Sequence, residues 1–329
     1  MLLLIGDRDD PHLQELCVEL RQTQPCEILS TLHDHLLNTQ FSFYSQVDGT
    51  YSCLIRQVDI EINLAEVGLA FCLSPLFRLE GKAQTQEARF WYFSWKEALY
   101  GVYSLLALSN RFINKSVENC LACQNKILTF PIAHKVGLKI PNSLISNSKF
   151  AINSFFNKNS QVVLKTLHQM SLNLENEPTM LLTQKVREQD FLNYSQQNES
   201  PLFLQDYIDK LYDIRLIVIG LEVMACKIDA SRSQIGRVDY RAYDLPNTPH
   251  YHVEVPLELK HKIVALCQAI YLEYACIDMC VDSSEQYWLL DINPFGKYLW
   301  MEYATGMPIT RTLSQFFVGR QVSSNTISF

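Results

Sequence analysis

Apolar positions come in short runs at the start of the chain and in longer periodic stretches after it. Residues 1–5 form an unbroken apolar run ending at Gly6-Asp7, which predicts a first buried strand over 2–5. A helix is predicted over 12–21 and a second strand over 26–29, the alternation of a small α/β domain. Phe90, Trp91, Phe93, Trp95, Leu99, Val102 and Leu106 recur at three- and four-residue spacings, predicting a long helix over 87–109 with these side chains in a core. Asn114-Lys115-Ser116 offers the next helix start, with Asn119 in place of the Glu of a full capping box. The helix after it carries Lys126 and is expected to stop near Pro131. Gly137-Leu138-Lys139-Ile140-Pro141 then turns into a strand over 143–145. Residues 161–165 are a short β-like run ending in Lys165, and the polar stretches 171–177 and 195–200 read as mobile loops around a small middle domain. From Leu202 the pattern tightens into runs over 202–208, 215–220 and 222–227, which predict an antiparallel meander. A helix over 257–274, with Leu259, Ile263, Cys267, Ile270, Tyr271 and Tyr274 on one face, leads to the last two strands. No internal repeat is visible.

Those last strands, 275–281 and 287–293, read as a β-hairpin. Side chains alternate faces along a strand, so Asp291 and Asn293 point the same way. With a loop at 283–286, Asp278 pairs across from Asp291 and joins that face. Two carboxylates and an amide oxygen then converge among the apolar neighbours Ile277, Leu289, Leu290 and Ile292. Hard oxygen ligands of this kind suit Mg²⁺, which keeps waters and takes its other ligands from substrate phosphates. The alternative is a solvated hairpin face. Charges inside so apolar a strand pair need compensation, which favours the metal.

Composition narrows the classes. The 329 residues, 48% of them hydrophobic, are enough for two or three domains with their own cores. Against 35 acidic residues there are 28 basic ones, a net charge of −7 that argues against a nucleic-acid footprint or an anionic membrane as partner. No apolar run is long enough to span a bilayer and the opening run is too short for a secretory signal, so a cytoplasmic protein is expected. Ten cysteines in such a chain read as reduced, buried thiols. Cys120 and Cys123 have the spacing of a metal or redox pair but fall in a helical segment with no second pair nearby, and His33 and His35 read as a polar surface.

The polar residues set into apolar structure are, in order, Lys126, Lys165, Asp206, Asp213, Arg215, Arg241, Asp278, Asp291 and Asn293. Around them stand Asn125-Lys126, the Gly137–Pro141 turn, Leu204-Gln205-Asp206-Tyr207-Ile208, Asp213-Ile214-Arg215, Asp239-Tyr240-Arg241 and Asp291-Ile292-Asn293-Pro294-Phe295-Gly296, the last running on to Trp300 and Ala304-Thr305-Gly306-Met307-Pro308-Ile309. This pattern resembles the ATP-grasp superfamily, and within it the peptide maturases that make graspetides of the microviridin type. The resemblance covers residues 114–317 well and the first domain loosely.

What it implies is an α/β (α+β) ATP-grasp fold in three parts: an N-terminal α/β domain over 1–114, a small central domain over 115–200 and a C-terminal antiparallel-sheet domain over 201–329. By the same resemblance Lys126 and Lys165 flank the ATP phosphates, where a lysine acts as a compact point charge. Asp206 lies near the adenine amino group, Gln205 and the backbone around Tyr207 and Ile208 complete adenine recognition, and Asp213 accepts from the ribose hydroxyls. Arg215 and Arg241, planar permanent cations, bind the γ-phosphate, the acyl-phosphate or the acidic side chain of the substrate. For each lysine the competing assignment is a surface charge, and for Arg241 an ion pair with Asp239. Asp278, Asp291 and Asn293 match the family's Mg²⁺ ligands, with Asp291 where Glu is usual. Phe295 stands where a small polar residue is common, and residues 166–177 lack the family's glycine-rich phosphate loop.

The implied activity is ATP- and Mg²⁺-dependent phosphorylation of an Asp or Glu side chain of a ribosomal precursor peptide, then attack by a hydroxyl or amine to close an ω-ester or ω-amide macrocycle. The precursor's leader segment would dock on the central domain, the core would enter the site, and relatives suggest a homodimer. Two alternatives stay open: a ligase that adds amino acids to a protein tail or small acceptor, and an inactive scaffold that binds nucleotide and peptide.

Overall fold

The computed structural model describes residues 1–76, 85–167, 171–174, 177–191, 200–233, 236–242 and 247–325. Its first elements are β1 (Leu2–Gly6), α1 (Pro11–Arg21) and β2 (Cys26–Ser30), followed by α2 (His33–Leu36), the antiparallel β3 (Thr39–Ser45), β4 (Tyr51–Gln57) and β5 (Ile60–Asn63), and β6 (Leu69–Cys72). β1 lies between β2 and β6 and runs parallel to both. Leu2 and Leu4 enter one core and Leu3 and Ile5 another, which is why this strand is apolar throughout rather than alternating. Asp10 caps α1 by accepting from the His12 amide, with Pro11 in the first turn.

α3 (Gln86–Leu108) buries Leu99, Val102, Tyr103 and Leu106, but Phe90 is 77% exposed and Phe93 52%. The expectation that its whole aromatic series is core is corrected on those two. A 23-residue helix is about 34 Å long and outruns a sheet whose five-residue strands span about 17 Å. Ser116 caps α4 (Val117–Cys123) as its spacing to Asn119 predicts. α5 (Lys126–Lys135) runs past Pro131 instead of stopping there. Proline is the sixth residue, just beyond the N–H groups that lack helical partners anyway, so it costs one early hydrogen bond, and Gly137 at φ +83° marks the real end.

The middle of the chain contributes β7 (Ser143–Ser146), α6 (Lys149–Lys158), β8 (Val162–Lys165), β9 (Ser171–Leu174), β10 (Glu177–Met180), β11 (Gln184–Val186) and β12 (Leu202–Asp206). Four of these form an antiparallel sheet in the order β11-β8-β12-β7, while β9 and β10 pair as a hairpin where a loop was expected. Of the second expected loop, residues 195–199 lie outside the described residues. β12 is thus not the first strand of a C-terminal meander, as its neighbours in sequence suggested. Its residues Phe203, Leu204 and Gln205 are all buried, and a strand flanked on both sides carries no sign of which neighbours it will choose.

The last sheet contains β13 (Lys210–Ile219), β14 (Glu222–Ile228), β15 (His250–Val253), β16 (Tyr274–Asp282) and β17 (Tyr287–Asn293), antiparallel in the order β15-β14-β13-β16-β17. Between β15 and β16 lies α7 (Leu257–Ala269), and α8 (Leu299–Thr305) and α9 (Ile309–Asn325) follow β17. α7 ends five residues earlier than the pattern predicts: Tyr271 takes φ 56° and is 59% exposed, and Leu272 N donates back to the Cys267 carbonyl at 2.8 Å. One face of the sheet, with Ile214, Leu216, Val218, Ile277, Met279 and Ile292, packs on α7 residues Ile263 and Leu266. The other face is divided. Ile217, Ile219 and Tyr274 pack with Leu313 and Phe317 of α9 and with Leu2 and Leu4 of β1. Beyond them the same face turns polar, and there the site lies.

All ten cysteines are buried and free, as expected. Among the described residues no helix is long and apolar enough to cross a membrane.

Candidate functional site

Arg215 of β13, Asp278 of β16 and Asp291 of β17 form one row across three strands, Arg215 pairing with Asp278 and Asp278 with Asp291. Asn293 stands one step along, opposite Cys276. The expected alignment of the two carboxylates is therefore present, though by a different route. The strands pair Val281 with Tyr287, which in an unbroken ladder would set Asp278 against Leu290; Leu290 is instead a bulge between Asp278–Asp291 and Met279–Leu289, and it restores the alignment.

Each carboxylate is held by a cation. Arg215 Nη1 donates to both oxygens of Asp278 at 2.8 and 2.9 Å, and Tyr240 Oη donates to Asp278 Oδ1 at 3.1 Å. Lys126, first residue of α5 behind the Asn125 cap, donates through Nζ to Asp291, whose Oδ1 also accepts from the Ile292 amide at 2.7 Å. Asn293 Oδ1 accepts from Gln124 Nε2 at 3.3 Å and from the Phe295 amide at 3.0 Å.

The middle sheet closes the opposite side. Lys165 at the end of β8 donates to Gln205 Oε1 at 2.6 Å, and Gln205 Nε2 donates to Ser143 Oγ at 2.9 Å. Burial pushes the Lys165 ammonium down to about 8. Asp206 follows Gln205 on β12, its carboxyl raised by burial. The Tyr207 amide continues the ladder by donating to the Gln161 carbonyl at 2.9 Å, so it is spoken for, and the Tyr207 ring lies under Lys185 Nζ at 3.6 Å.

Asp213 is buried, with both oxygens accepting from Lys210 Nζ at 2.7 and 2.6 Å. Burial raises its carboxyl to about 6 against the pull of Lys210. Lys210 escapes a sequence reading because residues three apart on a strand face opposite ways; a register shift between Lys210 and Tyr212 brings it round to Asp213. Arg241 makes the ion pair with Asp239 that its sequence neighbour suggested, Nε to Oδ1 at 2.8 Å and Nη2 to Oδ2 at 2.5 Å. Burial works against the Asp239 carboxylate, yet Arg241 and the Thr183 amide hold it below the usual range. Tyr240, between these two in a recognised motif, reaches Asp278 and went unassigned in the sequence.

Every residue singled out from the sequence lines one cleft between the two sheets, except Arg215. Arg215 lies behind Asp278, 8% exposed, with Nη2 donating to the Lys297 carbonyl at 3.3 Å. Its immediate work is to hold a carboxylate in place. Among the described residues no three His, Cys, Asp or Glu side chains cluster as metal ligands. The oxygen donors present are two carboxylates and one amide, a set that fits Mg²⁺ completing its shell with waters and phosphate and does not fit zinc.

No family model matches the chain. The glutamate–LysW ligase ArgX of Sulfolobus acidocaldarius is 25% identical over 232 residues, 67% of this chain and 77% of that protein. Among solved structures, the RiPP-associated ATP-grasp ligase of Chryseobacterium gregarium, in complex with ADP and a leader and core peptide, matches with a TM-score of 0.84 at 20% identity over 97% of this chain and 96% of that one. The macrocyclase MdnC of Microcystis aeruginosa MRC, bound with precursor peptide MdnA, matches with a TM-score of 0.82 at 21% identity, covering 97% and 100%.

Proposed function

The chain has the ATP-grasp fold, and we propose that it is an ATP-dependent ligase which activates Asp or Glu side chains of a ribosomal precursor peptide as acyl-phosphates and closes them into ω-ester or ω-amide rings. The observation that carries this is the convergence of Lys126, Lys165, Arg241, Asp278, Asp291 and Asn293 on one cleft from elements far apart in sequence.

In this reading Lys126 and Lys165 flank the triphosphate as point charges, and Arg241 offers its planar fork to the transferring phosphoryl group or the carboxylate being activated. Asp278, Asp291 and Asn293 would hold Mg²⁺, which when bound offsets the negative charge of the phosphates. Gln205, Asp206 and the Ile208 amide face the base. Asp213, fully engaged by Lys210, supports the ribose end by fixing the Lys210 ammonium beside it. The pairs Lys126–Asp291 and Arg215–Asp278 keep the charges compensated until nucleotide arrives, and Lys126 exchanges its carboxylate partner for phosphate oxygen. The protein does little covalent chemistry: it positions the carboxylate in line with the γ-phosphate and supplies fixed positive charge to the transition state.

The test is to incubate the purified protein with ATP, Mg²⁺ and any short peptide found to be encoded next to its gene, following ADP and peptide mass. Loss of one water per bond formed supports ring closure. The 25% identity to a glutamate–LysW ligase favours a second reading, addition of an amino acid to a protein tail, for which the mass would rise by a residue. No ADP and an unchanged peptide would leave only a binding scaffold.

A further inference from the structure

Tyr240 lines the cleft and touches a carboxylate of the ligand row, and none of the roles above uses it. It begins the single 3₁₀ turn Tyr240–Ala242, and its ring packs against the core that β1, β13 and α9 share. The chain on either side of it is pinned. The Val238 carbonyl accepts from Lys210 Nζ at 3.2 Å. Asp239 accepts from the Thr183 amide, next to β11, at 3.1 Å and from the Arg241 amide at 3.1 Å. With the ring seated and both flanks tied, the turn itself sets where the Tyr240 hydroxyl stands.

That hydroxyl makes the two oxygens of Asp278 unequal. Oδ1 accepts from Arg215 Nη1 at 2.8 Å and from Tyr240 Oη at 3.1 Å, whereas Oδ2 accepts, among the described residues, from Arg215 alone, at 2.9 Å. A carboxylate only accepts, and it has about two lone-pair sites on each oxygen, so Oδ1 is filled and Oδ2 keeps a site open. The Asp278 side chain is 19% exposed at the cleft wall, so it is not sealed off. We propose that Tyr240 is a positioning residue that sets the choice of metal: by occupying Oδ1 it leaves Asp278 one oxygen to offer, which favours Mg²⁺ over Ca²⁺. This rests on the reading of Asp278 as a Mg²⁺ ligand. Mg²⁺ demands a near-octahedral shell, and the two oxygens of one carboxylate subtend too small an angle to fill neighbouring corners of it. Ca²⁺ is larger, has a looser shell and accepts a carboxylate through both oxygens. Phenylalanine at position 240 would keep the ring and drop the hydroxyl, returning Oδ1 to use and opening the two-oxygen mode to the larger ion.

Purified wild type, Tyr240→Phe and Asp278→Asn are titrated with ADP by calorimetry in excess Mg²⁺ and, separately, in excess Ca²⁺, with thermal melts alongside. The ratio of the two affinities is the readout, because a purely structural loss weakens ADP binding equally in both cations and cancels. In Tyr240→Phe the preference for Mg²⁺ over Ca²⁺ is expected to shrink about tenfold, while Asp278→Asn weakens ADP binding in both cations. A folded Tyr240→Phe variant that keeps the wild-type ratio, whether or not its affinities fall together, overturns the proposal and leaves the metal reading standing. If Asp278→Asn binds ADP as wild type does in both cations, the metal reading of Asp278 fails and the proposal goes with it.

Discussion

Asp278 and Asp291 face each other across the last two strands, each bound to a different cation, Arg215 behind the first and Lys126 from the start of α5 on the second. Two carboxylates side by side repel, and the two cations hold them in register.

If Asp291 and Asn293 hold Mg²⁺, Asp291→Ala and Asn293→Ala should each lower ADP release by about 100-fold or more, while binding of the gene-adjacent peptide, measured by calorimetry, stays within about twofold. Asp291→Glu, which supplies a longer carboxylate at the same row position, should retain turnover. Undiminished ADP release in both alanine variants would sink the metal assignment.

Lys165 has its pKa depressed to about 8 by burial. An ammonium attracts phosphate only when protonated, so the charged form is present below that value and lost above it. ADP affinity should therefore fall as pH rises from about 7 to about 9, by up to about tenfold. Lys165→Met should bind weakly at both pH values and show no such slope, as isothermal titration would read directly.

Breaking the Lys210–Asp213 pair should cost fold stability, because its side chains are 9% and 4% exposed and either one alone is a buried unpaired charge. Asp213→Ala is expected to lose about 3 kcal/mol in denaturant unfolding. The double substitution Lys210→Met with Asp213→Leu should recover most of that loss while still binding nucleotide less well than wild type.

The two arginines should separate. Arg215→Ala strands the partly buried Asp278 and is expected to destabilise the fold by about 3 kcal/mol as well as stop turnover. Arg241 is 34% exposed at the cleft wall but is the cation paired with Asp239, 7% exposed, so the double substitution Arg241→Ala with Asp239→Asn, which leaves no buried unpaired charge, should lower the melting temperature much less than Arg215→Ala and still reduce turnover by about 100-fold. Thermal melts alongside ADP release distinguish the pair.

The shared face of Asp291 and Asn293 was legible in the sequence because strand alternation is strict. Its alignment with Asp278 was less secure than it looked, since the assumed loop was wrong by one register step and the Leu290 bulge restored it. Bulges also hid Lys210, because nothing in its neighbours marks where a strand adds a residue. His12 was legible as a helix start and nothing more, and Asp10 was not read at all. The link of His12 to Arg215 runs from the start of α1 through Asp10 and Lys297 to β13, a separation no local pattern reports.

The sequence by itself determined many of the elements, several of the apolar faces and the residue types that meet in the cleft, because periodicity and side-chain chemistry are local properties. Tertiary structure alone decided that β12 joins the middle sheet, that Arg215 stands behind Asp278 instead of in the cleft, and that Lys126 reaches Asp291. Those outcomes depend on strand partners and on compensation of buried charge between distant segments, and such energies exist only once the chain has brought those segments together.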